Sequence, residues 1–270
     1  MLKKVITYLI LSFFVVACSR NAITGRKQFK LLPESDLQSM ANEEYKKFLS
    51  TNKVVNATVN RDAEMVVRVG QRIRKSVETY YAEKGLSNQL AGFNWEYHLV
   101  EDNAVNAWCM PGGKIVVYTG LLPISKNEAA LAAIMGHEVS HAIFQHGNER
   151  MSQGIAQQLG GITLAVAVSN QPAETQNLFL NAYGVGSTLG LILPFSRKHE
   201  LESDRYGLIW AAMAGYNPQE AIPLWERMEA ASTGQKPPEF LSTHPSEGHR
   251  IEQLKQYMPE ALKYYKPVSK

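Results

Sequence analysis

Two histidines and a glutamate fall within residues 137–141, in the order H-E-x-x-H. An α-helix has about 3.6 residues per turn, so on a helix His137 and His141 lie one above the other, and Glu138 flanks the face they share. Zinc binds imidazole nitrogen, and an adjacent carboxylate can take a proton from a water that the ion activates. The motif therefore predicts a metal site on a helix, with His137 and His141 as ligands and Glu138 as the general base.

The motif needs supporting context, because the chain's own His and Glu frequencies would produce it by chance in about one per cent of such chains. The surrounding residues predict a helix over about 128–146, which Asn127 can cap and Gly147 can end. On that helix His146 lies about 140° from His141, so we expect His146 to be a cap or surface residue.

Hydrophobic periodicity predicts an α+β domain that is mainly helical. Apolar residues recur at helical spacing in several segments, whereas an alternating stretch and a β-branched stretch predict two strands. The predicted helices cover about residues 33–49, 61–84, 128–146, 197–214, 218–231 and 246–257, and the predicted strands cover residues 93–100 and 114–118. Residues 151–195 are rich in Ala, Gly and Leu but lack the clean apolar run of about 20 residues that spans a membrane. Two alternatives fit this segment, and we favour buried helices over a flap that contacts the membrane.

The first residues have the pattern of a bacterial lipoprotein signal. A basic start precedes the apolar run from Val5 to Ala17, which is too short to span a bilayer. Small residues precede Cys18, as in a lipobox, so we expect residues 1–17 to be removed and Cys18 to carry a lipid. The expected location is the outer membrane of a Gram-negative-type envelope, with the domain facing the periplasm.

The remaining chain is long enough for one large domain. Residues 18–30 mix small, polar and basic side chains without apolar periodicity, so we expect a tether there and a single domain over residues 31–270. The 45% of apolar residues is enough to form a hydrophobic core. The net charge of only +3 gives no compositional case for nucleic-acid binding. With Cys18 lipidated, Cys109 has no disulfide partner and is expected to be a packed thiol.

A catalytic zinc site needs a third protein ligand. Glu200 and Asp204 are four residues apart on a predicted helix, so they share a face. We choose Glu200 as the ligand and Asp204 as a carboxylate that orients a ligand histidine. Glu202 points roughly the other way and is expected to be solvated or paired with an arginine, although it stays the alternative ligand. We expect His199 at the surface.

Together these features resemble the HtpX and Oma-type gluzincin metallopeptidases, which are relatives of the CAAX prenyl endopeptidase. The chain looks most similar to the periplasmic lipoprotein branch that includes BepA and LoiP. The matching motifs are H-E-x-x-H at residues 137–141, E-x-x-x-D at residues 200–204, His244-Pro245 with Arg250, the segment from Asn106 to Leu122, and Thr24-Gly25-Arg26.

That resemblance implies a zincin-like metallopeptidase domain that binds one Zn²⁺ per chain. It assigns the metal to His137, His141 and Glu200, and it makes Glu138 the base for hydrolysis of an internal peptide bond. These assignments agree with those that helical spacing gives for the same residues.

The resemblance also implies roles for residues in the last part of the chain. His244 is similar to the family's loop histidine, which either stabilises the oxyanion or occupies the open position on the metal. Arg250, like Asp204, is expected in the layer of side chains behind the ligands. Independently of the resemblance, residues 176–196 are a candidate lid for the cleft.

A substrate-binding strand is a further implication of the resemblance. In the family, the matching strand is the edge of a small sheet and lines the active-site cleft, where an extended polypeptide can add as another strand. The residues expected in that edge strand are Ile115, Val116, Val117 and Tyr118. Recognition through the main chain implies broad specificity, so unfolded or misassembled cell-envelope proteins are the expected substrates.

Two functions fit these features. The first is a zinc endopeptidase for quality control of envelope proteins. The second is a non-proteolytic lipoprotein that assists assembly or binds other molecules and uses its metal only structurally. Glu138 favours the enzyme, because a structural metal site has no need for a base beside it.

Overall fold

The fold is mainly helical and contains a small mixed sheet, which confirms the predicted α+β class. The computed structural model describes residues 18–159, 178, 182, 196–232, 238–244 and 249–267. The helices in these ranges are α1 (Glu34–Thr51), α2 (Arg61–Glu83), α3 (Leu122–Ser125), α4 (Glu128–Ile143), α5 (His146–Leu159), α6 (Arg197–Met213), α7 (Ala221–Ser232), α8 (Glu239–Thr243) and α9 (Arg250–Leu262). The strands are β1 (Cys18–Arg20), β2 (Lys27–Phe29), β3 (Val54–Val55), β4 (Glu96–Val100), β5 (Ala107–Met110) and β6 (Lys114–Tyr118). Within the described ranges, no helix has the length and apolar character needed to cross a membrane.

Four of the described strands form one sheet in the order β3-β4-β6-β5. β6 pairs in parallel with β4 on one side and antiparallel with β5 on the other. The prediction that residues 115–118 form the edge strand is therefore wrong, and β5 occupies that edge. A continuous β-branched run is typical of a strand that is covered on both faces, so the composition of β6 suits an interior position.

The sheet separates two clusters of described apolar residues. On one face, Ile115 and Val117 belong to the larger cluster, which also contains side chains of α2, α4 and α6. On the other face, Val116 and Tyr118 pack with Leu37 and other residues of α1. Because successive strand residues point to opposite faces, β6 contributes to both clusters and fixes α4 relative to the sheet.

The helices α4 and α6 cross where both carry glycine. A Cβ atom on Gly136 would lie 2.7 Å from the backbone oxygen of Gly207, and a Cβ atom on Gly207 would lie 2.7 Å from the backbone nitrogen of His137. Real Cβ atoms do not approach backbone atoms so closely, so both positions need glycine for this crossing. The crossing places the H-E-x-x-H turn of α4 directly against α6.

The helix that carries H-E-x-x-H ends earlier than predicted. Asn127 caps α4 as expected, because its Oδ1 accepts a hydrogen bond from the backbone N–H of Ala130 at 2.8 Å. Gln145, however, has a φ of 56°, in the left-handed region that breaks a helix. A new helix then begins at His146, so the predicted stop at Gly147 is wrong.

Residues 18–30, expected as a tether, contain a β-hairpin instead. β1 and β2 pair antiparallel, with Cys18 opposite Phe29. The side chain of Asn21 accepts two backbone N–H bonds in the connecting turn, and Gly25 adopts a φ of 70°. Polar turn chemistry forms this hairpin, which is why a search for apolar periodicity predicts no structure there.

Other boundaries agree more closely with the periodicity. The helices predicted over residues 33–49, 61–84 and 197–214 correspond to α1, α2 and α6, whereas the last helix, α9, lies about four residues beyond its predicted range. The leader over residues 1–17 and most of the segment 151–195, including nearly all of the candidate lid, lie outside the described residues. Lipidation of Cys18 stays a prediction.

Candidate metal centre

Four described side chains converge at one buried point between α4, α6 and the end of α8. His137, His141, Glu200 and His244 each offer one ligand atom, and these atoms lie within 4.8 Å of one another. The Nε2 atoms of His137 and His141 are 3.0 Å apart, and Glu200 Oε1 is 3.4 Å from His141 Nε2. The spacing predicted from one turn of helix therefore directs both imidazoles to the same place as the carboxylate.

The protonation states of these groups suit a metal ion. Burial lowers the pKa of His137 and of His141 well below the usual range, so both rings are neutral, as ligation requires. Burial alone would raise the pKa of Glu200, but His244 and Arg250 outweigh it, and the pKa falls well below its usual range. Two neutral imidazoles and one carboxylate form the donor set that catalytic zinc commonly uses.

Asp204 and Arg250 lie behind His137. His137 Nδ1 is 2.9 Å from Asp204 Oδ1, and the same oxygen accepts a hydrogen bond from Arg250 Nη2 at 2.6 Å. The guanidinium carbon of Arg250 is 3.5 Å from the ring centroid of Trp225, which fixes the arginine. Burial raises the pKa of Asp204 to about 6, although Arg250 opposes that rise. The structure thus places both residues where the resemblance expects them.

Glu138 is buried beside the group and is 3% exposed. Burial, followed by repulsion from Glu200, raises the pKa of Glu138 well above its usual range. Among the described residues, none donates a hydrogen bond to Glu138 Oε1. A buried carboxylate oxygen without a donor is unfavourable unless a ligand or water uses it, which fits a reacting group better than a structural one.

His244 lies between Glu138 and Glu200 at the end of α8. Its Nε2 is 3.4 Å from Glu138 Oε1, and its Nδ1 is 3.1 Å from Glu200 Oε1. Its ring stacks on Phe240, with ring centroids 4.5 Å apart. Phe240 in turn donates its backbone N–H to the carbonyl of Val105 at 3.1 Å, next to the sheet. His244 therefore fills the space between the carboxylate of the metal group and Glu138.

The edge strand β5 packs against α4 beside this site. Tyr118 donates its backbone N–H to the carbonyl of Asn106 at 3.1 Å. Because antiparallel pairs alternate, the backbone groups of Ala107 and Cys109 then face away from β6. Cys109 is itself 3% exposed, in agreement with the predicted packed thiol. An added strand would meet the outward groups of β5, so β5 replaces residues 115–118 as the candidate substrate strand.

His146 lies at the N-terminal end of α5, as one of the two expected places, but it is buried behind His141, so the expected surface position is wrong. Its Nδ1 is 3.0 Å from His141 Nδ1, and its Nε2 is 2.9 Å from Glu202 Oε2. The helix break before His146 turns this side chain back toward His141, which an uninterrupted helix would not allow. Glu202 also accepts a hydrogen bond from Arg26 Nε at 2.8 Å, so the expected arginine pairing of Glu202 is confirmed.

His199, expected at the surface, is only 2% exposed. Its ring stacks on that of His146, with centroids 4.3 Å apart, and its Nε2 lies 3.5 Å from Glu149 Oε1. Arg26 contacts both carboxylate oxygens of Glu149 and also reaches Glu202. Sequence spacing gives little signal for the cluster of Arg26, His146, Glu149, His199 and Glu202, because these residues lie on the hairpin, α5 and α6.

The comparisons with known proteins agree with this geometry. Residues 68–258 match the model of peptidase family M48. The chain is 34% identical to the mitochondrial metalloendopeptidase OMA1 of Schizosaccharomyces pombe over 242 residues, which cover 88% of this chain and 66% of that protein. It is 32% identical to the mitochondrial metalloendopeptidase OMA1 of Homo sapiens over 252 residues, covering 91% of this chain and 45% of that protein. It is 30% identical to the beta-barrel assembly-enhancing protease of Escherichia coli over 167 residues, covering 58% of this chain and 33% of that protein.

These relatives confirm the predicted resemblance and correct the expected location. The chain spans between 33% and 66% of the length of the three relatives. The two with the higher identity are named as mitochondrial proteins, so the expected outer-membrane, periplasm-facing location is wrong. That expectation depended on the lipobox-like pattern of residues 1–18.

Proposed function

The chain belongs to peptidase family M48, and on that basis we propose that it is a zinc-dependent endopeptidase acting on unfolded or misassembled polypeptides. The observation that carries the proposal is the convergence of His137, His141 and Glu200 beside the buried carboxylate of Glu138.

The donor set determines which metal we propose. Two imidazole nitrogens and one carboxylate oxygen, all buried, suit Zn²⁺ better than Ca²⁺ or Mg²⁺, which prefer oxygen ligands. A zinc ion bound there supplies Lewis acidity, which polarises a peptide carbonyl and makes a bound water acidic. His137, His141 and Glu200 would hold the ion, and Asp204 fixes the ring of His137 through Nδ1.

Glu138 moves the proton in the proposed reaction. Its carboxylate takes a proton from the water that attacks the peptide carbonyl, and it returns that proton to the amide nitrogen as the carbon–nitrogen bond breaks. Burial and the charge of Glu200 raise the pKa of Glu138, which makes its carboxylate a stronger proton acceptor for the first step.

Substrate selection follows from the position of β5. A polypeptide that adds to this edge would be bound through the backbone groups of Cys109 and the carbonyl of Ala107 rather than through particular side chains, because the N–H of Ala107 already donates to Asn106 Oδ1 at 2.9 Å. Only an extended, unpaired segment can add as a strand, so unfolded or misassembled chains are the proposed substrates.

Glu138→Gln tests the proposal directly. The substitution keeps the shape of the side chain but removes the base, so casein cleavage should fall by a factor of about 10² to 10⁴. Zinc content, measured by mass spectrometry of the native protein, should stay at the wild-type level. Glu226→Gln on the exposed surface of α7 is the matched control and should leave both unchanged. Undiminished cleavage by a zinc-loaded Glu138→Gln variant would refute the mechanism.

His244→Ala tests whether His244 blocks the metal site in the resting protein. Because His244 lies between Glu200 and Glu138, we propose that it occupies the position that water and substrate use, and that α8 moves before catalysis. The variant should cleave casein faster than the wild type without an activating signal. Loss of cleavage would instead mean that His244 supports the transition state, and an unchanged rate would exclude both roles.

A structural metal is the second candidate function, and His244 is the observation that favours it. With His244 added, the group offers four protein ligands, which is the number typical of structural zinc sites. Such a protein would bind partners or assist assembly without proteolysis. It predicts that His244→Ala and the wild type are equally inactive toward casein, and that Glu138→Gln is fully functional in cells.

A further inference from the structure

The two histidines of H-E-x-x-H are supported from behind in different ways. His137 Nδ1 lies 2.9 Å from a carboxylate oxygen of Asp204. His141 Nδ1 instead lies 3.0 Å from another imidazole nitrogen, Nδ1 of His146. An imidazole that binds a metal through Nε2 keeps its proton on Nδ1 and needs an acceptor there. For His141, that acceptor is His146.

One arrangement of protons fits the hydrogen bonds beyond His141, and in it His146 Nδ1 can also accept from Ser203 Oγ, 3.4 Å away. If His141 donates from Nδ1, then His146 accepts at Nδ1 and carries its own proton on Nε2. That Nε2 lies 2.9 Å from Glu202 Oε2, which also accepts from Arg26 Nε at 2.8 Å. We propose that His146 is a positioning residue that orients His141 toward the metal, with Glu202 and Arg26 completing the chain of hydrogen bonds. This inference rests on the proposed metal site.

The packing around His146 holds its ring in place. The side chain is fully buried, at 0% exposure, and one face stacks on His199 with an interplanar angle of 14°. The hairpin fixes the preceding helix break, because Gln28 Nε2 donates to the carbonyl of Phe144 at 2.5 Å and to Glu149 Oε1 at 2.8 Å. The N-terminal hairpin is therefore part of the support of the metal centre.

A second metal site is the competing interpretation of this cluster. His146, Glu149 and His199 have ligand atoms within 4.8 Å of one another. Arg26, however, contacts both oxygens of Glu149, and Gln28 donates to one of them. A guanidinium already neutralises this carboxylate, so a divalent cation would have to displace it. The contacts favour a hydrogen-bonded support over a second ion.

Two substitutions of His146 distinguish a role in positioning His141 from a role in packing. His146→Phe keeps a ring for stacking but removes the ring nitrogen that lies 3.0 Å from His141 Nδ1. His146→Asn loses the ring but can present Oδ1 where Nδ1 now lies. His98→Phe is the matched control, because it removes an imidazole that is hydrogen-bonded to Tyr45. The readouts are the zinc dissociation constant, from competition with a chromogenic chelator, and the visible spectrum of the Co²⁺-substituted full chain.

Positioning predicts that His146→Phe weakens zinc binding about 10- to 100-fold and alters the Co²⁺ spectrum, whereas His146→Asn stays within about fivefold of the wild type. His98→Phe should match the wild type. The proposal is overturned if His146→Phe binds zinc as tightly as the wild type, or if the Asn variant loses as much as the Phe variant, since packing alone would then explain the result.

Arg26→Gln provides a second test that leaves His146 in place. It should weaken zinc binding by about three- to tenfold relative to Lys27→Gln, an exposed neighbour on the same hairpin. Equal affinities in these two variants would contradict the proposed chain of hydrogen bonds behind His141. If His146→Phe does not fold, this comparison decides the proposal.

The proposed metal site can be refuted independently of the positioning role of His146. If the wild type binds no zinc, or if His137→Ala binds it equally well, the metal site itself is wrong. If the wild type binds zinc through His137 but His146→Phe and Arg26→Gln are unaffected, only the positioning role is wrong.

Discussion

At the scale of single residues, Gly207 sets the distance between the two helices that carry the metal group. Gly207 faces the backbone of His137, and Gly136 faces the backbone of Gly207. Any side chain at either position would push α4 and α6 apart. The imidazoles of α4 and the carboxylate of α6 would then no longer meet at one point.

Gly207→Ala should destabilise the fold by about 1–3 kcal/mol, because its Cβ atom would overlap the backbone and neither helix can yield locally. It should also weaken zinc binding. Urea unfolding measures the first effect and chelator competition the second. Gly154→Ala in α5 is the matched control, since the three described atoms nearest to its Cβ atom would all belong to the flexible side chain of Leu178. Equal stability of the two variants would show that the crossing tolerates a methyl group.

Much of the site could be predicted from single residues. Helical spacing alone brings His137 and His141 to one face, and it pairs Glu200 with Asp204. His146 could not be found that way, because its place depends on the left-handed conformation of Gln145, for which the sequence has no clear signal.

At the scale of elements, the hairpin of β1 and β2 connects the start of the described chain to α5 and α6. Arg26 contacts Glu149 on α5 and Glu202 on α6. Burial alone would raise the pKa of Glu149, but hydrogen bonds from Arg26 and His199 hold it at about 2. The ionised carboxylate therefore stabilises the folded state.

The lowered pKa of Glu149 predicts that acid weakens the attachment of the hairpin to α5. A folded-state pKa below the unfolded value gives stability that is present above the unfolded pKa and is lost as the pH falls from 4.5 through about 2. Glu149→Gln should be less stable than the wild type at neutral pH and should lose less stability on acidification. Urea unfolding at neutral pH and at about pH 3 measures both effects. An unchanged pH slope in Glu149→Gln, compared with the exposed control Glu83→Gln, would contradict this account.

Elements differed in how well the sequence predicted them. The long helices carry clear apolar stripes, so α1, α2 and α6 agree closely with the periodicity. β5 has only the four residues Ala107–Met110 and no alternation in burial, and the hairpin is held by polar contacts. Pairing between strands decides which is the edge, and the apolar pattern of β6 contains no information about its neighbours.

At the scale of the whole molecule, the helices α4 and α6 form a rigid centre, and the parts around it have separate tasks. Asp204 and Arg250 support one side of the metal group, and the hairpin supports the other through His146. β5 forms the edge of the sheet beside the metal group, and His244 at the end of α8 lies between Glu138 and Glu200. In the proposed mechanism, access to the metal group depends on movement of α8.

The account depends most on the identity of the metal ligands. Zinc content and casein cleavage, measured together in Glu200→Gln and Glu202→Gln, test that identity. The wild type should hold one zinc ion per chain, lose cleavage when a chelator removes it, and regain cleavage on addition of one equivalent. Glu200→Gln should lose both zinc and cleavage, whereas Glu202→Gln should keep most of its zinc. Cleavage that persists in metal-free protein, or zinc that is lost from Glu202→Gln but retained by Glu200→Gln, would contradict the account.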